Sequence, residues 1–155
     1  MNDLFDVMSF LCLHYPHSSE LSDARLTKMV YLADWFSALA SGHQLTNINW
    51  YFNHYGPYVR DIYNFAAQSS EFEVLEEETP FGSSKTLVRY IGSPANINLS
   101  PYAQQILNLV IEKTRSLYFN EFISYVYSTY PIQAKERYAY LDLPTLAATY
   151  KASRL

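Results

Sequence analysis

Arg25 to Leu39, RLTKMVYLADWFSAL, is the stretch that most restricts how this chain folds. Leu26, Met29, Val30, Ala33, Phe36 and Ala40 recur at helical spacing with the small Ser37 among them, while Tyr31, Leu32, Trp35 and Leu39 place large side chains on the remaining circumference. A helix apolar on so many sides has to be surrounded, so the spacing predicts a central helix with the other elements packed about it. Ser22 or Asp23 offers the start cap, and Gly42 offers a left-handed stop that a residue with a side chain adopts only at a cost.

On either side the chain divides into short, well-punctuated elements. A first helix is expected from about Asp3 to Leu13, with Leu4, Phe5, Met8, Leu11, Cys12 and Tyr15 on one side and Asn2 or Asp3 as its cap; Pro16 and the polar His17 to Glu20 end it. After the polar link His43 to Asn49, Trp50, Phe52 and His54 alternate with Tyr51, Asn53 and Tyr55, an extended piece leading into the Gly56-Pro57 turn. A helix from Tyr58 to Gln68 should follow, with Val59, Ile62, Tyr63 and Ala66 inward.

Phe72 to Glu78 and Lys85 to Ile91 read as an antiparallel hairpin around Thr79 to Ser83. Opposite charges favour Glu73 facing Arg89 and Glu77 facing Lys85, which sets Phe72 against Tyr90 and Val74 against Val88. That register makes one face mainly charged, although Leu75 and Leu87 fall on it. Ser100 before Pro101 is a strong helix start, with Ala103, Ile106, Leu107, Val110, Ile111, Thr114 and Leu117 as its buried side. Asn120 is expected to cap a further helix, with Phe122, Ile123, Val126 and Tyr127 inward and Pro131 as its stop. Pro144, with Asp142 or Leu143 just ahead of it, starts a last one through about Lys151. The expected class is mainly α (α+β): helices around a buried central helix, with one small antiparallel β-hairpin, as a single domain over residues 1 to 155.

Charge is unevenly divided: residues 1 to 80 hold three basic against eleven acidic side chains and residues 81 to 155 hold eight against four, within a net charge of −4. An acidic chain has no general attraction for phosphate backbones, which disfavours DNA as a partner. Cys12 is the only cysteine, so no internal disulfide can form. Asp3 and Asp6 stand where a secretory signal carries basic residues, and no apolar run approaches the ~18 residues that span a bilayer. The expectation is therefore a cytoplasmic protein with no membrane partner.

No combination of residues specifies a reaction. His14 and His17 have Pro16 between them, which breaks the turn that would bring both imidazoles to a metal. Cys12 and His14, two apart, cannot face each other on a helix, so Cys12 is read as packing. The acidic run Glu71, Glu73, Glu76, Glu77, Glu78 splits between strand faces and reads as a charged edge that discourages strand addition. His54 with Asp34 or Asp61 would make an acid–base pair, but no motif supplies a nucleophile, and the four glycines form no phosphate-cradling loop. No enzyme, metal or cofactor is expected. The aromatic stretch Trp50 to Tyr58, WYFNHYGPY, is different in kind: around a rigid turn it offers either a plug over the core or a set of interface anchors. Among the fifteen tyrosines, those at wet margins fit either role.

Lys28-Met29-Val30-Tyr31-Leu32-Ala33-Asp34-Trp35, then Gly42, Leu45-Thr46, Trp50 and Tyr55-Gly56-Pro57-Tyr58, resembles the Panacea domain of SocA-like antitoxins. The likeness is tightest over residues 26 to 63, extends in element order to about 117, and is claimed for nothing in 118 to 155. Lys28, Tyr31, Asp34, Trp35, Gly42, Gly56 and Pro57 carry the motif; Met29 and Tyr58 stand where the family more often has leucine and valine. The resemblance implies a bacterial or phage antitoxin that neutralises a cognate protein toxin by binding it, as inhibitor, chaperone or protease adaptor, and it brings no catalytic residue. Trp50, Phe52, His54, Tyr55, Pro57 and Tyr58 are the expected partner-binding residues. The alternative is a DNA-binding regulator with a winged-helix-like hairpin, which requires Lys85, Arg89 and the C-terminal basic residues to converge; Arg60 alone makes the helix before the hairpin a poor reader of bases.

Overall fold

In the computed structural model, which describes residues 3–154, the stretch from Arg25 forms the middle of α2, Asp23–Ser41. Ser22 caps it by accepting a hydrogen bond from the Arg25 amide, and Gly42 ends it at φ 80°, with its amide donating to the Ala38 carbonyl. Every residue from Arg25 to Trp35 is buried. The last turn leaves the core, so Phe36 and Leu39 are half-buried and Ala40 is exposed where the periodicity had placed Phe36 and Ala40 inward.

Around α2 pack α1 (Leu4–His14), α3 (Asp61–Gln68), α4 (Pro101–Thr114), α5 (Phe119–Tyr127) and α7 (Leu143–Ala152), with the short α6 (Tyr130–Ala134) leading into α7. Asp3 caps α1 through its side chain; Asn2, the other candidate cap, lies outside the described residues, as does Leu155 at the end of the expected domain. Ser100 caps α4 as expected, and Asp142 caps α7 by accepting from the Thr145 amide. Three boundaries differ from the sequence reading. α3 begins at Asp61 because the Tyr58 amide is still bonded to the Tyr51 carbonyl. Tyr118, not Asn120, precedes α5, because Glu121 reaches back to accept from the Tyr118 amide at 3.0 Å. Pro131 sits in the first turn of α6 rather than stopping a helix, a position where its missing N–H costs nothing.

The hairpin of β3 (Phe72–Glu78) and β4 (Ser84–Tyr90) has the expected register, with Glu73 opposite Arg89 and Glu77 opposite Lys85. Arg89, however, turns its Nη2 to the Ser19 carbonyl at 3.1 Å. β4 is packed on both faces: Val88 meets the core, while Leu87, on the nominally charged face, is also buried and bridges to Ser22 beside α2. The open end closes over an aromatic cluster in which Phe5, Phe72 and Tyr90 meet at 5.4–6.0 Å.

A second sheet was not foreseen. β1 (Trp50–Asn53) pairs antiparallel on one side with β2 (Gly56–Pro57) and on the other with β5 (Tyr140–Leu141), in the order β2-β1-β5. The class is α+β, and among the described residues no helix is long and apolar enough to cross a membrane.

Candidate functional site

The second sheet is positioned by one buried carboxylate. Asp34, on α2, is fully buried and accepts from the Thr46 amide at 2.9 Å, the Thr46 hydroxyl at 2.6 Å and the Trp50 indole Nε1 at 2.8 Å. Burial pushes its pKa up to about 6, against the opposing pull of the Thr46 and Trp50 hydrogen bonds. This carboxylate fixes the link after Gly42 to the central helix and draws Trp50 inward, where the indole meets the Tyr31 ring edge-on at 5.6 Å. The Tyr31 hydroxyl in turn bonds Thr129 at 2.8 Å, between α5 and α6.

From Trp50 onward the strand alternation decides which aromatics face out. Trp50 and Phe52 point to the core, 0% and 4% exposed, and the Phe52 ring lies 6.2 Å from that of Tyr127. Gly56 and Pro57 are buried too. Gly56, at φ 102°, lies against Tyr127, whose Cε1 would stand 3.2 Å from an added Cβ, so a side chain there strains the backbone and requires the Tyr127 ring to shift by a few tenths of an ångström. Tyr58 is half-buried; its hydroxyl donates to Asp23 at 3.0 Å, and the Lys28 ammonium lies 5.9 Å from its ring. Burial lowers the Lys28 pKa to about 8, partly countered by Asp23.

The six residues expected to hold a partner therefore separate. His54 and Tyr55, the latter 75% exposed, stand at the tip of the turn, whereas Trp50, Phe52 and Pro57 serve the core and Tyr58 ties the segment ahead of α3 to α2. The inward set is excluded as a free surface by the Asp34 network and by the close approach of Tyr127.

Three further residues join the exposed pair. Tyr138 lies just ahead of β5 and Tyr140 is its first residue, 61% and 64% exposed, and Tyr51 faces Tyr140 across the ladder with ring centroids 5.0 Å apart. Tyr138, at φ 71°, is held by its amide donating to the Phe52 carbonyl, and its hydroxyl meets His54 Nδ1 at 3.3 Å. His54 packs on Tyr55 at 4.5 Å, and Arg137 Nε donates to the His54 carbonyl at 3.0 Å. Tyr51, His54, Tyr55, Tyr138 and Tyr140 thus share one end of this sheet. The sequence signal for Tyr138 and Tyr140 was their alternation in Tyr-Ala-Tyr, too short to announce a strand without its distant partner.

The remaining candidate chemistry is dispersed. His14 lies 4.2 Å from the Phe10 ring and His17 5.7 Å from that of Tyr15, and among the described residues no three His, Cys, Asp or Glu side chains gather as metal ligands. Neither Asp34 nor Asp61 hydrogen-bonds His54. Cys12 is buried with its Sγ 3.9 Å from the Val88 carbonyl, and burial pushes its thiol up to about 12. In the acidic run, Glu71 accepts from Asn96 and Glu76 from Thr86.

Neither a curated protein nor a solved structure matches the chain. One family model does, the antitoxin SocA-like Panacea domain, over residues 26–131. The matched span runs from α2, with the Asp34 and Lys28 networks and the Gly56-Pro57 turn, through the hairpin and α4 to the Pro131 turn. With two thirds of its length under that model, the chain belongs to the antitoxin SocA-like, Panacea domain family.

Proposed function

We propose that this antitoxin-like protein, of bacterial or phage origin, neutralises a cognate protein toxin in the cytoplasm by direct binding, without catalysis, and that the face of Tyr51, His54, Tyr55, Tyr138 and Tyr140 holds the toxin. The observation that carries the site is this cluster itself: two tyrosines paired across a ladder and three ring-bearing side chains in the adjoining turns, three of the five more than 60% exposed. Tyr51 and Tyr140, paired across the ladder, and Tyr138, tied by its amide to the Phe52 carbonyl, lose little freedom on binding, and such side chains are the usual anchors of protein interfaces. The DNA-binding alternative draws no comparable support, because Arg89 is turned onto the Ser19 carbonyl and Lys151 onto that of Leu39.

The test is co-expression with the product of the neighbouring gene. The wild-type chain should restore growth and co-purify with that protein, and the Tyr55→Ala/Tyr140→Ala variant should lose the complex. Each exposed substitution should cost the fold no more than about 0.5 kcal/mol. Loss of two anchors should weaken binding by about 2 kcal/mol or more, roughly 30-fold. A folded variant that binds and protects like wild type would remove the tyrosine face from the toxin contact.

A further inference from the structure

The last turn of α2, where the helix leaves the core, forms one wall of a groove of about 380 Å³. Phe36 and Leu39, both half-buried, stand on that wall; Tyr125 on α5, Tyr130 at the start of α6 and Tyr150 on α7, all half-buried, complete the lining with the buried Trp35. Among the described residues the hydroxyls of these three tyrosines have no hydrogen-bond partner, and none of them is sealed from solvent. Burial raises the Tyr125 pKa, so its hydroxyl stays a donor. Two exposed cations stand at the same end of α7. Arg154 lines the groove with its guanidinium 4.7 Å from the Tyr150 ring centre. Lys151 donates to the Leu39 carbonyl at 3.1 Å, which leaves two of its three N–H groups unused. No carboxylate of the described residues lines the groove.

The electrostatics of this groove differ from those of the chain as a whole, because α5, α6 and α7 belong to the half with eight basic against four acidic side chains. A ring entering beside Phe36 and Leu39 would cover apolar surface that the fold leaves wet, and a carboxylate next to that ring would meet Arg154 and Lys151. We infer that the groove docks an acidic segment of a protein partner, with an aromatic side chain seated among Phe36, Leu39 and Tyr125 and a neighbouring Asp or Glu carboxylate on Arg154 and Lys151. The free phenol hydroxyls supply donors for the carbonyls of such a segment. A protein partner fits better than a free small molecule because the lining, Trp35 aside, is only half-buried. A free ring would keep much of its surface in water, whereas the body of a partner closes over the open side. The groove shares no residue with the tyrosine face and stands or falls apart from the toxin-binding reading.

Calorimetric titration of the full chain with the end-capped peptides Glu-Trp-Glu, Lys-Trp-Lys and Glu-Ala-Glu, and with indoleacetate as a free small molecule, tests the assignment. Glu-Trp-Glu should bind with a Kd below about 1 mM. The other two peptides should bind at least about tenfold more weakly, one for its charge and one for its missing ring. Arg154→Ala should weaken Glu-Trp-Glu about fivefold, whereas Arg115→Ala, which removes an equal charge outside the groove, should change it by less than about twofold. Leu39→Glu should weaken it at least about tenfold; if that variant fails to fold, the two exposed arginine variants carry the reading. No binding of Glu-Trp-Glu, equal binding of either control peptide, indoleacetate binding as tightly as the peptide, or equal effects of Arg154→Ala and Arg115→Ala would overturn the proposal.

Discussion

Asp34 keeps a carboxylate where water does not reach, and its protonation is therefore tied to folding. Its native pKa of about 6 lies above the ~3.9 of an unfolded aspartate. Between those values the native chain holds a proton that the unfolded chain has released, so this group's contribution falls as pH rises from about 4 to about 6 and is level beyond. The drop amounts to at most about 3 kcal/mol. Asp34→Asn should abolish that slope and, by placing an amide donor among the Thr46 and Trp50 donors, lower stability by about 1–3 kcal/mol. Urea unfolding of both proteins at about pH 4.5 and pH 7 checks this; an undiminished slope in the variant would assign it to other groups. At this scale the sequence was only half legible. The alternation of Trp50, Phe52 and His54 with Tyr51, Asn53 and Tyr55 was plain, but both sets are aromatic. Which one turns inward is decided by Asp34 and Tyr31 on another element, and spacing does not carry that.

Among elements, the hairpin was the most legible because two opposite-charge pairs and two apolar pairs agree on one register. The α5 start was missed because Glu121, reaching back to the Tyr118 amide, does the work expected of Asn120. β5 was missed because two residues take their strand character from pairing with Trp50 and Tyr51. The β1–β2 turn rests on Gly56, which needs both its positive φ and its lack of a Cβ. Gly42 needs only the first, since nothing lies within 4 Å of an added Cβ. Gly42→Ala should therefore cost about 1 kcal/mol and Gly56→Ala more, about 2–3 kcal/mol. At roughly 2–4 °C per kcal/mol for a chain of this size, thermal melting separates the two. Equal losses would mean that Tyr127 moves aside freely.

For the molecule as a whole, the matched family span is shorter than the set of residues that share the core. α1, ahead of residue 26, contributes fully buried Val7, Met8 and Leu11, and α7, beyond residue 131, contributes buried Leu143, Leu146 and Ala147. Tyr150 on α7 also packs on Trp35 and Tyr130, at 6.2 and 5.0 Å. A fragment of residues 26–131 loses both flanks of α2 and the β5 strand, so it should show no cooperative thermal transition where the full chain does. A sharp calorimetric transition in the fragment would show that the flanking helices are dispensable. The helices themselves and the centrality of α2 were legible from periodicity and caps, whereas the closure of the C-terminal segment onto β1 depends on contacts between residues far apart in the chain.

Cys12 lies on α1 beneath the Val88 carbonyl of β4 and is the chain's single thiol. Cys12 is 4% exposed beside a cavity lined by Ser18, Ser19, Arg89 and Tyr90, so a maleimide or disulfide reagent finds its target only after a local opening of α1, β4 and the Ser18–Ser19 segment around it. The labelling rate is a built-in clock for that one opening, and any ligand or partner that seals the helix against the hairpin slows it.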